Sequence, residues 1–396
     1  MAVIAAVSRG FDVSWVAEAI SPDDQSAHWH GHLHRGRLYD PERETDLIEE
    51  LSCNANFWWS DAIRPFHTSV PTIAVGPDER WATSFSERLT GPRWLQTTTS
   101  YLRSDSTAIG TDEAILDGPA FLDAAHRAAL RGATRIHGRC DGLRLRNDGS
   151  WSADISTADG RQHEMTATAV ILATGAAVPE LVPNDVDLNL RFGARLSRML
   201  VLQGALPPTA AIVPSRAAGG LFFASREIVS DPSGVSRSWL VSDGFSSPGT
   251  SSPGDLTDGW WSCSVIERLL RLVREDVLED VIVGGYLATK FRLASSPAKV
   301  PARGVSVDLE HSFVALAPSK WSTAPTSAIN AIDAMIPDPL SVEDRIAAMT
   351  RLVGAESVEP LFRFDETWQT LTKWVPFSSL TTPGLDSLET AASIYH

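Results

Sequence analysis

Cysteine is scarce in this chain: three in 396 residues, Cys53, Cys140 and Cys263, odd in number and far apart. That excludes a disulfide framework and suits a reducing cytoplasm. No apolar run reaches the roughly 18 residues needed to span a bilayer. Nor does a basic stretch followed by a long apolar region open the chain, so neither a membrane anchor nor a secretory leader is expected. Positive charge is short as well. Lys and Arg number 34 against 49 acids, a net charge of −15, and nothing gathers them into a phosphate-tracking stripe. Nucleic acid is therefore not an expected partner. A Walker loop, a CxxC pair and a Ser-His-Asp order with a nucleophile elbow are all missing, which leaves hydrolase and NTPase readings without support.

What is present is an ordinary globular composition, 43% apolar and 21% charged. The length is long for one core and comfortable for two interleaved domains. Thirteen tryptophans, including the pairs Trp58–Trp59 and Trp260–Trp261, supply material for a core and for pocket walls. The opening MAVIAAVSRGFDVSWVAEA reads as a helix, a break at Gly10, and a strand ending in Glu18. In a dinucleotide-binding βαβ unit these are the crossover helix, the second strand and the acid that holds the adenosine ribose. The first strand and its glycine loop belong before this stretch. Four explanations stay open: an accidental likeness, a start inside the true gene, a fold without its phosphate cradle, or a strand supplied by a second chain.

Farther on, Asp117 and Pro119 begin an amphipathic helix, AFLDAAHRAALRG, closed by Gly132. TRIHG then reads as a strand. CDGLRLRNDG, SWSADISTADG and QHEMTATAVILATGA follow as runs divided by Asn-Asp-Gly and Ala-Asp-Gly turns. The all-apolar AVILA fits a parallel strand covered on both faces. Residues 41–114 and 186–304 differ in texture, with separated strands (AAIVPSR, GLFFASREI, SWLVSDG, DVIVGGYLATKFRL), a helix around IERLLRLVREDV and the Ser/Pro/Gly-rich loop FSSPGTSSPGD. SVDLEHSFVALA reads as a turn and strand, TSAINAIDAMI and SVEDRIAAMTRLV as helices.

Taken in order, these pieces resemble the FAD-dependent amine and amino-acid oxidoreductases, the group of D-amino-acid, glycine and sarcosine oxidases. The segments that carry the resemblance are AVSRGFDVSWVAE, LDGPAFLDAAHRAALRGATRIHG, VILATGAAVPEL and FVALAPSKWSTAPTSAINAI. It implies an α/β fold: an interrupted Rossmann-type FAD-binding domain (1–40, 115–185 and 305–345), an inserted antiparallel-sheet substrate domain (41–114 and 186–304) and a C-terminal extension (346–396). By position it implies FAD contacts from Glu18, from Cys140, from Thr174 and Gly175 after the ATG strand, and from Trp321, Ser322 and Thr323 where a helix points at the flavin. Two departures stand out. The glycine loop is not in the chain, and its loss costs FAD several charge-assisted bonds of roughly 1.5–3 kcal/mol each. APSKWSTAP also lacks glycine, so Lys320 and Trp321 would stand where backbone lies near the ring. Lys320 there would favour reduced, anionic flavin by Coulomb attraction.

The loudest local feature is SAHWHGHLHRG, with His28, His30, His32 and His34 at alternate positions. On a strand they share one face, and such spacing can ligate a metal. No carboxylate or thiolate stands nearby at ligand spacing, so no metal is expected. The resemblance places His30 and His32 beside the flavin, in a stretch through which some members attach the cofactor covalently. Arg292, in GYLATKFRLASSP, is a candidate clamp for a substrate carboxylate. Arg216, Arg226, Tyr286 and Lys290 are candidates by position. The resemblance thus implies FAD-dependent oxidation of a C–N bond in a small amine, amino acid or imino acid by hydride transfer, on a homo- or hetero-oligomer. The alternative is a repurposed fold that has lost FAD and serves as a binding subunit.

Overall fold

The computed structural model describes residues 1–18, 31–36, 45–75, 96–97, 99–188, 191–213, 221–228, 236–243, 260–294, 304–317, 320–337, 339–356 and 375–376. The chain divides into two compact units. One comprises residues 1–68, 113–195 and 289–362, the other 69–112, 196–288 and 363–396.

The first unit is built on a βαβ-like entry. Helix α1 (Ala2–Ser8) buries Ile4, Ala5 and Ala6, and Gly10 turns the chain at φ +77° into strand β1 (Val13–Ala17). β1 runs parallel to β8 (Ala133–Leu145), with Val13 opposite Ala133 and Ala17 opposite His137. Between them lies α3 (Gly118–Leu130), whose start is set by the Asp117 side chain accepting from the Ala120 amide. Its buried face is mostly alanine, which lets α1 approach closely: Ala120, Ala124 and Ala128 join Ile4 and Ala5 in one core cluster. β9 (Trp151–Thr157) and β10 (Gln162–Ala167) extend the sheet in the order β1-β8-β9-β10, with a bulge between Cys140 and Gly142.

A second sheet of this unit has the order β11-β18-β17: β11 (Val170–Leu172) is parallel to β18 (Phe313–Leu316), and β17 (Val305–Asp308) is antiparallel to it. All four residues of β18 are buried, as a strand covered on both faces requires. Just after β11 a short helix, α4 (Val178–Leu181), buries Val178. After β18 a turn at Trp321–Thr323 leads into α6 (Ala324–Met335). A small third sheet joins β2 (His32–Leu33), β7 (Ala114–Leu116) and β3 (His67–Ser69) in the order β2-β7-β3. Among the described residues, β1 and β11 each pair with a single strand.

The compact units divide elsewhere than at the expected boundaries of 41 and 346. Helix α2 (Thr45–Trp58) puts Phe57 and Trp58 into the same core as α1 and α3. Helix α7 (Val342–Gly354) adds Ile346, Met349 and Val353 to it, and Glu356 behind it pairs with Arg127 and Arg131 of the α3 end. Both helices carry their apolar residues at helical spacing, and it is the core of the first unit that takes them up.

The second unit carries a nine-stranded sheet in the order β19-β16-β12-β15-β14-β13-β4-β6-β5. Its strands are β4 (Thr72–Val75), β5 (Gln96–Thr97), β6 (Thr107–Gly110), β12 (Arg191–Gly204), β13 (Ala210–Val213), β14 (Leu221–Ile228), β15 (Ser236–Asp243), β16 (Ile282–Ala294) and β19 (Val375–Pro376). The strands from β13 to β15 and β12 pair antiparallel, while β13 meets β4 in parallel. Helix α5 (Trp260–Leu270) contributes Trp261, Val265, Ile266 and Leu269 to a core shared with Leu200, Phe223, Trp239 and Val241. The large antiparallel sheet is thus present as expected. Among the described residues no helix is long and apolar enough to cross a membrane.

One consequence of the α1 position is measurable. Burial pushes the Met1 amine from 8.0 down to about 6. A lowered amine pKa means that protonation opposes folding, so the penalty is full below the folded value and vanishes above the unfolded one. A polypeptide that starts at Met1 should gain about 2 kcal/mol of stability as the pH rises from 6 to 8. Urea melts across that window check this, and acetylating the amine should flatten the slope.

Candidate functional site

The site is assembled where β2, β7 and the start of α6 meet, all within the first unit. Gly31 sets the approach. Its φ of +72° is the left-handed region that favours glycine, and its carbonyl accepts from the Leu116 amide at 2.8 Å. A Cβ at this position would lie 2.2 Å from the Leu116 carbonyl oxygen, so no other residue fits without moving β7. The close pairing that results places His32 opposite Ile115 and Leu33 opposite Ala114.

Glu113, the second residue before Ile115, thereby comes to His32. The His32 Nε2 and Glu113 Oε2 share a hydrogen bond of 2.5 Å, with both side chains almost wholly buried. The other carboxylate oxygen accepts from the Arg35 amide at 3.1 Å. His34 Nδ1 lies 4.0 Å from the same Oε2, and its ring sits 3.9 Å, centroid to centroid, from that of His32. The ligand atoms of His32, His34 and Glu113 all fall within 4.8 Å of one another. In this low-dielectric setting each hydrogen bond is stronger than in water, and leaving one unmade is correspondingly expensive.

Helix α2 and the start of α6 brace this group. The His34 amide donates to Ser322 Oγ at 2.8 Å, and the Trp58 indole donates to the Ser322 carbonyl at 3.0 Å. Asn54 grips the first turn of α6 twice: its Nδ2 donates to Thr326 Oγ1 at 2.7 Å and its Oδ1 accepts from the Thr326 amide at 3.0 Å. That side-chain pair takes up a donor that the helix start leaves unpaired. The Arg35 guanidinium lies over the Trp59 ring at 4.4 Å.

The structure joins His32 and Ser322, both read as cofactor residues from the sequence, through His34. Ser322 is buried, with its hydroxyl accepting from His34, and Thr323 is buried with its hydroxyl donating to the Lys320 carbonyl at 3.0 Å. The Trp321 ring packs 5.9 Å from Phe121 and is half-buried against the core. Lys320 is half-buried at the start of the same turn.

The remaining candidates sit on other elements. Glu18 is exposed just past β1, where its carbonyl accepts from Arg135 at 3.2 Å. Cys140 is half-buried at the β8 bulge, its Sγ 3.5 Å from the Gly142 carbonyl, and burial pushes its thiol pKa up, which does not suit a nucleophile. Thr174 is exposed, and Gly175 follows at φ +57°. Arg292 lies on β16 together with Tyr286 and Lys290, and Arg226 on β14. His28, His30 and Arg216 lie outside the described residues.

Sequence reasoning missed Glu113. No carboxylate stands at ligand spacing beside the histidines in sequence, and the chain brings one to His32 from 81 residues on. Asn54 and Trp58 were missed too. Their only signal was a polar residue and an indole on the apolar stripe of a helix.

A parallel β1–β8 pair with its crossover helix, a second parallel pair β11–β18 leading into α6, and a large, mostly antiparallel sheet define an interrupted Rossmann-type FAD-binding fold with an inserted substrate domain. A family model described as FAD dependent oxidoreductase matches residues 2–253, and the chain belongs to that family. Solved structures agree in fold. L-alpha-glycerophosphate oxidase from Mycoplasma pneumoniae, with FAD bound, is 12% identical, with 84% of this chain and 91% of that one covered at a TM-score of 0.60. Fructosyl amine: oxygen oxidoreductase (Amadoriase I) from Aspergillus fumigatus is 13% identical, covering 86% and 85% at 0.54. L-amino acid deaminase from Proteus myxofaciens is 10% identical, covering 85% and 89% at 0.50. No curated protein sequence matches the chain.

FAD is the cofactor of this family, and the residues present fit it in two places. Glu18 offers an exposed carboxylate at the C-terminal end of a parallel strand, the position that suits a ribose diol. Gly175 has a left-handed backbone and no atom within 4 Å of where a Cβ would stand, an open approach for a ligand beside the end of β11.

Proposed function

We propose that the protein is an FAD-dependent oxidase or dehydrogenase that oxidises a C–N bond of a small amine, amino acid or imino acid. The family match over residues 2–253 carries the oxidoreductase part of this reading. The C–N part is supported by fold neighbours that include a fructosyl amine oxidoreductase and an L-amino acid deaminase. When bound, FAD would supply the acceptor for a hydride from the carbon next to nitrogen.

In this reading the chain's own residues bind, orient and tune. Glu18 holds the adenosine ribose, and Thr174 and Gly175 let the backbone after β11 pass close to the cofactor. Lys320 supplies positive charge where electrons accumulate, and Trp321, Ser322 and Thr323 set the start of α6. Arg292 clamps a substrate carboxylate through a two-pronged hydrogen bond. The product imine is hydrolysed by water, which asks no acid–base dyad of the protein.

The test is spectroscopic. The purified chain, supplied with FAD, should show flavin absorption and should bleach without oxygen when a small amine or amino acid is added. Protein that stays colourless with added FAD would sink the enzyme reading in favour of a repurposed binding subunit. Bleaching by a secondary alcohol such as glycerol phosphate, and not by any amine, would overturn the C–N assignment.

A further inference from the structure

The roles assigned above leave the His32–His34–Glu113 group unused, yet its geometry is that of a ligand set. The geometry points to a binding site for a single divalent transition-metal ion, zinc foremost, held by His32, His34 and Glu113.

Two imidazoles and one carboxylate form a recurring three-residue set for zinc, with a fourth position left to water or another ligand. Here all three donor groups lie within 4.8 Å of one another, on two backbone segments joined by strand pairing. A hydrogen-bonded His–Glu pair would account for His32 alone. Beside that pair stands a second imidazole, 3.9 Å from the first centroid to centroid and tilted by 47°, with a nitrogen 4.0 Å from the same carboxylate oxygen.

The supporting contacts also have the pattern of a metal site. Glu113 Oε1 is held by the Arg35 amide, which turns Oε2 toward both rings. The His34 backbone is fixed by Ser322 Oγ. Such outer hydrogen bonds fix the orientation of metal ligands and the direction of their lone pairs. Tetrahedral ligands at ~2.0–2.1 Å from zinc lie roughly 3.3 Å from each other. The His32–Glu113 gap of 2.5 Å therefore opens slightly and the His34–Glu113 gap of 4.0 Å closes slightly as the ion enters. The His32 Nε2 proton gives way to the ion, as metal binding to imidazole requires. Nitrogen donors select against magnesium and calcium, which take oxygen ligands, and the common order of affinities favours zinc and copper over manganese and iron.

The test uses the full chain with its flavin. After treatment with a chelator, the protein is dialysed against micromolar zinc chloride and the bound metal is counted by mass spectrometry, beside thermal melts with and without zinc. The expected result is one zinc per chain and a zinc-dependent rise in melting temperature. His34→Ala leaves the His32–Glu113 bond intact, so it should fold, yet lose at least the roughly 10–100-fold in zinc affinity that follows removal of an outer partner. Glu113→Gln keeps the shape of the side chain and should lose affinity as well. No zinc on the wild-type chain overturns the proposal. Equal zinc on wild type and both variants overturns it too, because the ion then sits on other donors such as the exposed Cys53.

Discussion

Replacing Glu113 by alanine should lower the stability of the first unit by roughly 3–5 kcal/mol, because a buried imidazole and a part-buried amide lose a carboxylate partner at once and such bonds contribute about 1.5–3 kcal/mol each. The partners are the His32 Nε2, almost wholly buried, and the part-buried Arg35 amide. Glu113→Gln should cost about half as much, since its amide oxygen still accepts one of the two bonds and the volume is unchanged. His34→Ala, which removes neither donor, should cost least. Urea melts give the order, with a constant slope showing that the unfolded state is unaffected. If alanine and glutamine at position 113 cost the same small amount, the carboxylate is not buried between these donors and the site as described does not exist.

The second large effect is expected at Gly31. Alanine there meets two obstacles: a left-handed backbone at φ +72°, worth roughly 1–2 kcal/mol for an L residue, and a Cβ only 2.2 Å from the Leu116 carbonyl. That second contact is with backbone, so it is relieved only by moving β2 off β7, which breaks the Leu116-to-Gly31 hydrogen bond and parts His32 from Glu113. Gly10 provides the control. Its φ of +77° is as demanding, but a Cβ there has nothing within 4 Å. Gly10→Ala should therefore cost only the backbone term, and Gly31→Ala should exceed it by at least about 2 kcal/mol. Hydrogen exchange at the Leu116 amide should quicken in the Gly31 variant alone. Equal costs at the two positions would mean that β2 and β7 are not in close contact.

Much of the fold was legible because it is local. The apolar run of Ala2–Val7, the cap Asp117 with Pro119, the Asn-Asp-Gly turn between β8 and β9, and the fully apolar strands β11 and β18 each declare themselves within a dozen residues. Their order along the chain was enough for the family and for its cofactor. The helices α2 and α7 were legible as helices but not as neighbours. Their apolar stripes say that a face is buried and do not say against what, so contacts among α1, α2, α3 and α7 had to come from packing.

The histidine group marks the limit most clearly. Sequence by itself determined that alternate histidines share a face, because the side-chain period of an extended chain is two. Only tertiary structure decided what that face meets. β2 is two residues long and carries no periodic signal, and its partner Glu113 is one acid among the 49 acidic residues of the chain. What brings them together is a pairing across 81 residues, admitted by the missing side chain of Gly31, and a serine 288 residues beyond His34 that holds the other side. Local propensity is written in adjacent residues. Contacts across such distances follow from which buried surfaces fit together, and that is settled by the packed chain as a whole.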